Sequence, residues 1–157
     1  MAMYHAVAAN DPKTFRFLLE RGVDPRRMSR DDESHLHGAV RHGSTGAMIT
    51  YVLAAGVPIE TKTPVGAPPK LDPFRAIPID RRGWTALHLA AHLGKVPAVR
   101  TLLERGADVN AKTTAGWTPL DCVDVMDENA ARNRDADDEQ SHRREVRELL
   151  RAKMAQK

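Results

Sequence analysis

Apolar residues recur along this chain in pairs of short segments with helical spacing. Between residues 82 and 110, an alanine-rich run, ALHLAA, is followed by a leucine-rich run, VRTLL; Gly94 separates the two and Gly106 follows the second. The beginning of this segment returns 33 positions later as AGWTPLDCV. A self-similar period of this length is typical of helix pairs that bury their apolar faces only against neighbouring pairs. The pattern therefore predicts an all-α stack of repeats with a long concave surface.

The same segment resembles the ankyrin-repeat family, whose units combine a Gly-x-Thr-Pro-Leu-His turn, an Ala-rich helix, a Leu-Leu helix and a Gly-Ala-Asp-x-Asn exit. The residues that match are Gly83, Thr85, Leu87, His88, Ala90, Ala91, Gly94, Leu102, Leu103, Gly106, Ala107, Asp108 and Asn110. The resemblance implies an ankyrin-type solenoid that binds protein partners and has no chemistry of its own. It also implies that His88, and His37 at the matching position, hydrogen-bond neighbouring turn backbone and serve the scaffold.

The repeat can be followed four times along the chain. Met3 and Leu36 are 33 residues apart, as are Leu87 and Leu120, whereas 51 residues separate Leu36 from Leu87. We therefore expect a single domain with an insertion between its second and third repeats. The expected repeats cover about residues 3–28, 29–62, 80–112 and 113–155.

The insertion is expected at about residues 63–79, TPVGAPPKLDPFRAIPI. Its five prolines block helices and strand ladders and favour an extended backbone. Its apolar residues, Phe74 among them, favour an ordered loop that packs back on the stack, because a flexible linker would be rich in glycine and serine.

The fourth repeat departs from the pattern in its second half. Residues 124–139 hold seven acids and two arginines, and we interpret them as a solvated acidic loop. Residues 141–157 hold six lysines and arginines and two acids. They predict a polar terminal helix, capped by Ser141, that closes the stack.

Composition and charge restrict the environment of the protein. The net charge is +3, and a basic tail lies next to an acidic stretch, whereas nucleic-acid binding needs a continuous basic face with stacking aromatics. The chain has no long apolar run and no signal pattern at its start. The single cysteine, Cys122, is expected to be a buried, reduced thiol. We therefore expect an intracellular, cytoplasmic protein that binds neither nucleic acid nor membrane.

The sequence predicts neither a metal nor a cofactor. His35, His37 and Cys122 could contribute ligands, but they lack the paired spacing that closed zinc sites use. The glycine-rich phosphate loops and the common catalytic motifs are also missing from the sequence.

The candidate binding residues follow from the resemblance. In the family, residues that read the partner lie at the turn tips and just before the glycine that ends the first helix of each repeat. Phe74 of the insertion is added to the positions that match. The candidate set is Trp84, Trp117, Arg41, His42, His92, Leu93, Arg81, Arg82 and Phe74.

Trp84 and Trp117 occupy the same variable position one repeat apart. We expect both to be exposed and to stand side by side, because aromatic anchors on exposed surfaces contribute strongly to binding. The alternative is that each tryptophan packs on its own turn and stiffens it.

Two classes of function remain open. The first is a protein-interaction module that recognises its partner through the concave groove and the turn tips. The second is a small-molecule binder or an unusual enzyme, with the insertion closing a pocket in the groove. Its acid/base and orienting groups would be His42, His92, Arg41, Asp31 and Glu33.

Overall fold

The computed structural model describes residues 2–29, 33–43, 46–64, 81–130 and 137–156 of the chain. These residues form helices and turns, and no strand occurs among them. The expectations for Asp31, for Phe74 and for residues 65–79 of the insertion lie outside the described residues. The helices are α1 (Ala2–Ala8), α2 (Pro12–Glu20), α3 (His35–His42), α4 (Ala47–Ala54), α5 (Ala86–His92), α6 (Val96–Glu104), α7 (Pro119–Ala130) and α8 (Asp137–Ala155).

The eight helices form four consecutive pairs. Helix α1 packs on α2, α3 on α4, α5 on α6 and α7 on α8. The first helices of the pairs, called here the inner helices, contact one another in the order α1, α3, α5, α7. The outer helices α4, α6 and α8 also follow one another. The predicted all-α solenoid of helix pairs is therefore confirmed.

The start and end of each helix follow from local sequence. Asp11 precedes α2, where its carboxylate accepts the backbone N–H groups of Lys13 and Thr14, and Pro12 takes the first helical position. Both features satisfy or remove donors that a helix start leaves unpaired. After α6, Gly106 has a φ of +88°, a left-handed conformation that glycine adopts at little cost and that lets the chain leave the helix.

The core lies between the helix pairs. Leu36 and Leu87 on the inner helices and Leu102 on α6 are fully buried, and Val146 and Leu150 of α8 continue this core into the fourth pair. Cys122 is also buried, and this burial raises the pKa of its thiol to about 12. The cysteine therefore belongs to the packing of the fourth pair.

The hydrogen bonds of the turns locate the boundaries of the insertion. The backbone N–H of Thr63 donates to the carbonyl of Trp84, and that of Thr113 donates to the carbonyl of Trp117, both at 2.9 Å. The first pair is 21 positions apart and the second 4, so the longer turn holds 17 additional residues, 64–80. This range starts one residue later than expected because Thr63 itself belongs to the turn.

The fourth pair differs from its sequence interpretation in two respects. Helix α7 continues to Ala130, so residues 124–130 are helical and not part of a loop. Helix α8 begins at Asp137, which places Ser141 inside the helix and not at its cap. Polar residues were read as loop, although a solvated helical extension has the same composition. None of the helices within the described ranges is long and apolar enough to cross a membrane.

Candidate functional site

Two buried histidines connect successive turns of the stack. The Nε2 atom of His37 lies 3.0 Å from the carbonyl oxygen of Trp84, and that of His88 lies 3.0 Å from the carbonyl oxygen of Trp117. Each imidazole thus reaches from its own repeat to the turn of the next. The hydrogen bonds that the sequence resemblance implied for His37 and His88 are confirmed, and both side chains serve the scaffold.

The other ring nitrogen of each histidine is held by a hydroxyl. The Nδ1 atom of His37 lies 2.7 Å from the Ser34 Oγ, and that of His88 lies 2.8 Å from the Thr85 Oγ1. Because a carbonyl oxygen can only accept, Nε2 carries the proton in both rings and Nδ1 accepts from the hydroxyl. Burial lowers the pKa of both imidazoles, so the neutral form fits this arrangement.

Tyr4 occupies the corresponding position in the first repeat. Its hydroxyl donates to a carboxylate oxygen of Glu33 at 3.3 Å, across the 29 residues that also separate His88 from Trp117. Its ring lies 6.3 Å from the ring of His35 and 6.2 Å from that of His42. Sequence reasoning missed Tyr4 as part of the inner surface. The equal separation of 29 residues was the signal that could have found it.

Arg41 and Glu33 are brought together as expected for neighbouring candidates, but they pair with each other. The guanidinium forms an ion pair with the carboxylate, and its Nε also lies 3.3 Å from the second carboxylate oxygen. Both side chains are largely buried. The pair therefore fixes the end of α3 to its own turn.

The expectation that Trp84 is exposed is wrong. Only 1% of its surface is accessible, and its ring packs edge-on against that of His92 at 5.1 Å and lies 6.4 Å from that of His88. His92, which was also expected to face the groove, is buried with it. A large indole excludes more water by lying against its own inner helix than by facing solvent, and this accounts for the difference. The alternative, packing on its own repeat, holds for Trp84.

The remaining candidates retain accessible surface. His42 is exposed at the end of α3, and Leu93 is partly buried directly after α5. Trp117 packs partly against the core and remains partly accessible, as do Arg81 and Arg82 in the turn of the third repeat. We call these residues, together with Arg41, the inner-helix face. No group of histidine, cysteine and acidic side chains suited to a metal ion occurs in the described part of the chain.

Comparison with known families gives a match over most of the chain. Residues 2–113 match the family model described as ankyrin repeats, in three copies. The matched range includes the first three helix pairs and the histidine bonds between their turns.

Comparison with curated proteins gives relatives that contain such repeats within much longer chains. Delta-latroinsectotoxin-Lt1a of Latrodectus tredecimguttatus is 31% identical over 98 residues, which is 62% of this chain and 7% of the toxin. The B-cell lymphoma 3 protein homolog of Mus musculus is 29% identical over 122 residues, 75% of this chain and 23% of that protein. Ankyrin repeat domain-containing protein 13B of Mus musculus is 50% identical over 42 residues, 27% of this chain and 7% of that protein. The chain thus spans less than a quarter of the length of each of these three relatives.

Proposed function

The chain belongs to the ankyrin-repeat family, and from this premise we propose that it is a module that binds a protein partner through its inner-helix face. The observation that carries the proposal is the accessibility of His42, Leu93 and Trp117 on successive inner helices and turns, beside scaffold residues that are already hydrogen-bonded or buried. Side chains that the fold does not need are available for a partner.

The rigidity of the turns supports this proposal. His37 and His88 tie each turn to the next, and the Arg41–Glu33 pair holds the end of α3. A surface that is fixed before binding loses less conformational entropy when the partner arrives. Trp117 and the arginines of the third turn are residue types that dominate binding energy at interfaces.

A site-specific photo-cross-linker can test this surface directly. Benzoylphenylalanine placed at His42 should capture the partner in cells, whereas the same group at Glu104, an exposed residue of the outer helix α6, should not. With the captured partner purified, Trp117→Ala should weaken binding about thirtyfold if Trp117 is a hot spot. Glu104→Ala should leave the affinity unchanged. Equal capture from both positions, or an affinity that inner-face substitutions do not change, would refute the proposal.

The described residues favour this function over a small-molecule or catalytic one. Arg41 and Glu33 neutralise each other, and His92 is packed on Trp84. A cavity beside α1 is lined by none of His42, His92, Arg41 or Glu33. The catalytic candidates therefore do not converge on the cavity, as a shared reaction centre would require.

We also propose that the protein works inside the cell and does not bind nucleic acid. The buried free thiol of Cys122 is consistent with a reducing compartment. Two basic side chains near the terminal helix are paired with acids, Arg147 with Asp124 at 2.8 Å and Arg100 with Glu145 at 2.6 Å. These pairs reduce the positive charge available to phosphates.

A further inference from the structure

A cavity of about 300 Å³ lies beside α1, between that helix, residues 23–29 and the first turn of α3. Met3 and His35, both buried, form part of its wall together with Tyr4, and Val23 and Met28 line it as exposed residues. The volume falls at the small end of the range for ligand pockets, about 300–1,000 Å³. We call this feature the end cavity.

The other repeats provide an internal comparison for Val23. This residue follows Gly22, as Val57 follows Gly56 and Ala107 follows Gly106. Val57 and Ala107 are 3% and 6% exposed, whereas Val23 is 36% exposed. The first repeat thus presents, at the end cavity, an apolar side chain that the other repeats bury.

Met28 shows a complementary difference. Counted from the same glycine, its equivalents are Lys62 and Lys112, which are exposed lysines. Met28 is 39% exposed, so the first repeat carries an apolar side chain where the fold elsewhere accepts a charged one. The scaffold does not require this methionine, and an apolar residue at the mouth of a cavity favours contact with an apolar group.

The charge around the end cavity indicates what kind of segment would carry that group. Residues 21–29, RGVDPRRMS, contain three arginines and one aspartate. The Asp24 carboxylate accepts the backbone N–H of Arg26 at 2.9 Å, and the Arg26 Nε donates to the carbonyl of Gly56 at 3.1 Å. The exposed Arg27 side chain lines the cavity and has no ion pair or hydrogen bond with any described residue. A cation in this position attracts an acidic partner.

We propose that the end cavity binds an apolar side chain carried by an acidic segment of a partner protein. A second copy of this chain is a poorer occupant, because a two-fold contact would bring the arginines of one copy against those of the other. The proposal goes beyond the inner-helix face, since Met28 and Arg27 do not belong to that face. Tyr4, which lines the end cavity and contacts His42, marks the boundary between the two surfaces.

Methionine methyl groups provide the readout for a test. With ¹³C-labelled methionine, Met3 and Met28 report on the end cavity, whereas Met48 reports on the core and Met154 on the exposed side of α8. The probe is a short synthetic peptide with one phenylalanine flanked on both sides by aspartate and glutamate. We expect it to shift the Met3 and Met28 resonances, to leave those of Met48 and Met154 in place, and to bind more weakly as salt rises.

Matched variants separate the apolar contribution from the charge. Met28→Lys installs the residue type that the other repeats carry at this position, and we expect it to weaken peptide binding at least about tenfold. Met154→Lys changes a methionine of similar exposure, 37%, on α8 and should have no effect. Arg27→Glu should likewise weaken binding, whereas Arg151→Glu on the terminal helix should not. An unchanged Met48 resonance would show that each variant remains folded.

Three results would overturn the proposal. The first is a titration in which the acidic peptide leaves Met3 and Met28 unshifted up to about 1 mM. The second is equal binding of a peptide whose acids are replaced by lysine. The third is a shift of Met28 with protein concentration alone, which would identify a second copy as the occupant. The test is independent of the inner-helix face, because His42→Ala should leave peptide binding intact.

Discussion

The Nε2 atom of His37 lies 3.0 Å from the carbonyl oxygen of Trp84, a residue 47 positions further along the chain. His88 forms the same contact with Trp117 at the same distance, across only 29 positions. The geometry of the stack is therefore maintained across the insertion. A single buried side chain closes the join between the second and third repeats.

Replacing His37 should weaken the whole stack. His37→Ala leaves the buried carbonyl of Trp84 without this donor, and we expect a loss of about 1–3 kcal/mol in the free energy of unfolding. Urea denaturation followed by circular dichroism measures this loss. The exposed His42 is the control, since His42→Ala should cost less than about 0.5 kcal/mol. Equal effects of the two substitutions would show that the His37 bond does not stabilise the fold.

Stability should also depend on pH between neutral and mildly acidic conditions. Burial lowers the pKa of His35, His37 and His88 from the ordinary value of 6.5. The unfolded chain then binds protons more readily than the folded chain, so stability is fully present above about pH 6.5 and is lost as the pH falls below it. Urea midpoints at about pH 7.5 and 5.5 should reveal the loss, and the double variant His37→Gln, His88→Gln should reduce it. Greater stability at the lower pH would contradict this assignment.

The repeat pattern predicted the architecture well because the interactions that define it are local and periodic. The spacing of Leu36, Leu87 and Leu102 indicated which faces pack between helix pairs, and all three are buried. The resemblance also placed His37 and His88 correctly, because their turn context repeats. The start of α8 was missed because an exposed polar helix and a polar loop have the same composition.

The side of the molecule on which each variable residue lies was harder to predict. Trp84 and Trp117 occupy equivalent positions, yet the first is buried and the second retains accessible surface. Burial at such a position depends on neighbours from the same repeat, here His92 for Trp84, and periodicity does not specify them. Tyr4 was missed for a similar reason, because a tyrosine replaces the histidine expected at that position.

Trp84 should now behave as a core residue. Trp84→Ala should cost about 3–5 kcal/mol, as for other large buried aromatics. Trp117→Ala should cost clearly less because part of that ring is already accessible. Urea unfolding of both variants checks the order. A cost for Trp84→Ala below that for Trp117→Ala would restore Trp84 as a surface residue.

Trp84→Phe provides a finer test of the same site. The Trp84 Nε1–H is buried and has no hydrogen-bond partner among the described residues. Removing an unpaired donor offsets part of the packing that the smaller ring loses. We therefore expect Trp84→Phe to be much less destabilising than Trp84→Ala, which can be measured in the same urea series. Comparable losses would show that the indole nitrogen does have a partner in solution.

Leu102 should be essential to the third pair. Its side chain is fully buried, and Leu102→Ala should cost about 2–5 kcal/mol through lost burial and the cavity it leaves. The exposed Met154 provides a control, because Met154→Ala should change stability by less than about 0.5 kcal/mol. An unchanged denaturation midpoint for Leu102→Ala would mean that the third pair unfolds separately from the rest.

Deleting residues 64–80 should leave the stack folded. The deletion joins Thr63 to Arg81 and produces the segment TRRGW, the same length as TTAGW at residues 113–117. Because Thr63 and Thr113 already form the same backbone bond to the tryptophan that follows, the shortened turn should close without strain. Circular dichroism should retain the helical signal, and the urea midpoint should remain close to that of the intact chain. A matched deletion of residues 63–79 removes Thr63 and leaves Asp80 in its place, and with it the threonine hydroxyl that accepts the N–H of Trp84 at 2.9 Å. That variant should be less stable, and equal stability of the two deletions would contradict the boundary at Thr63.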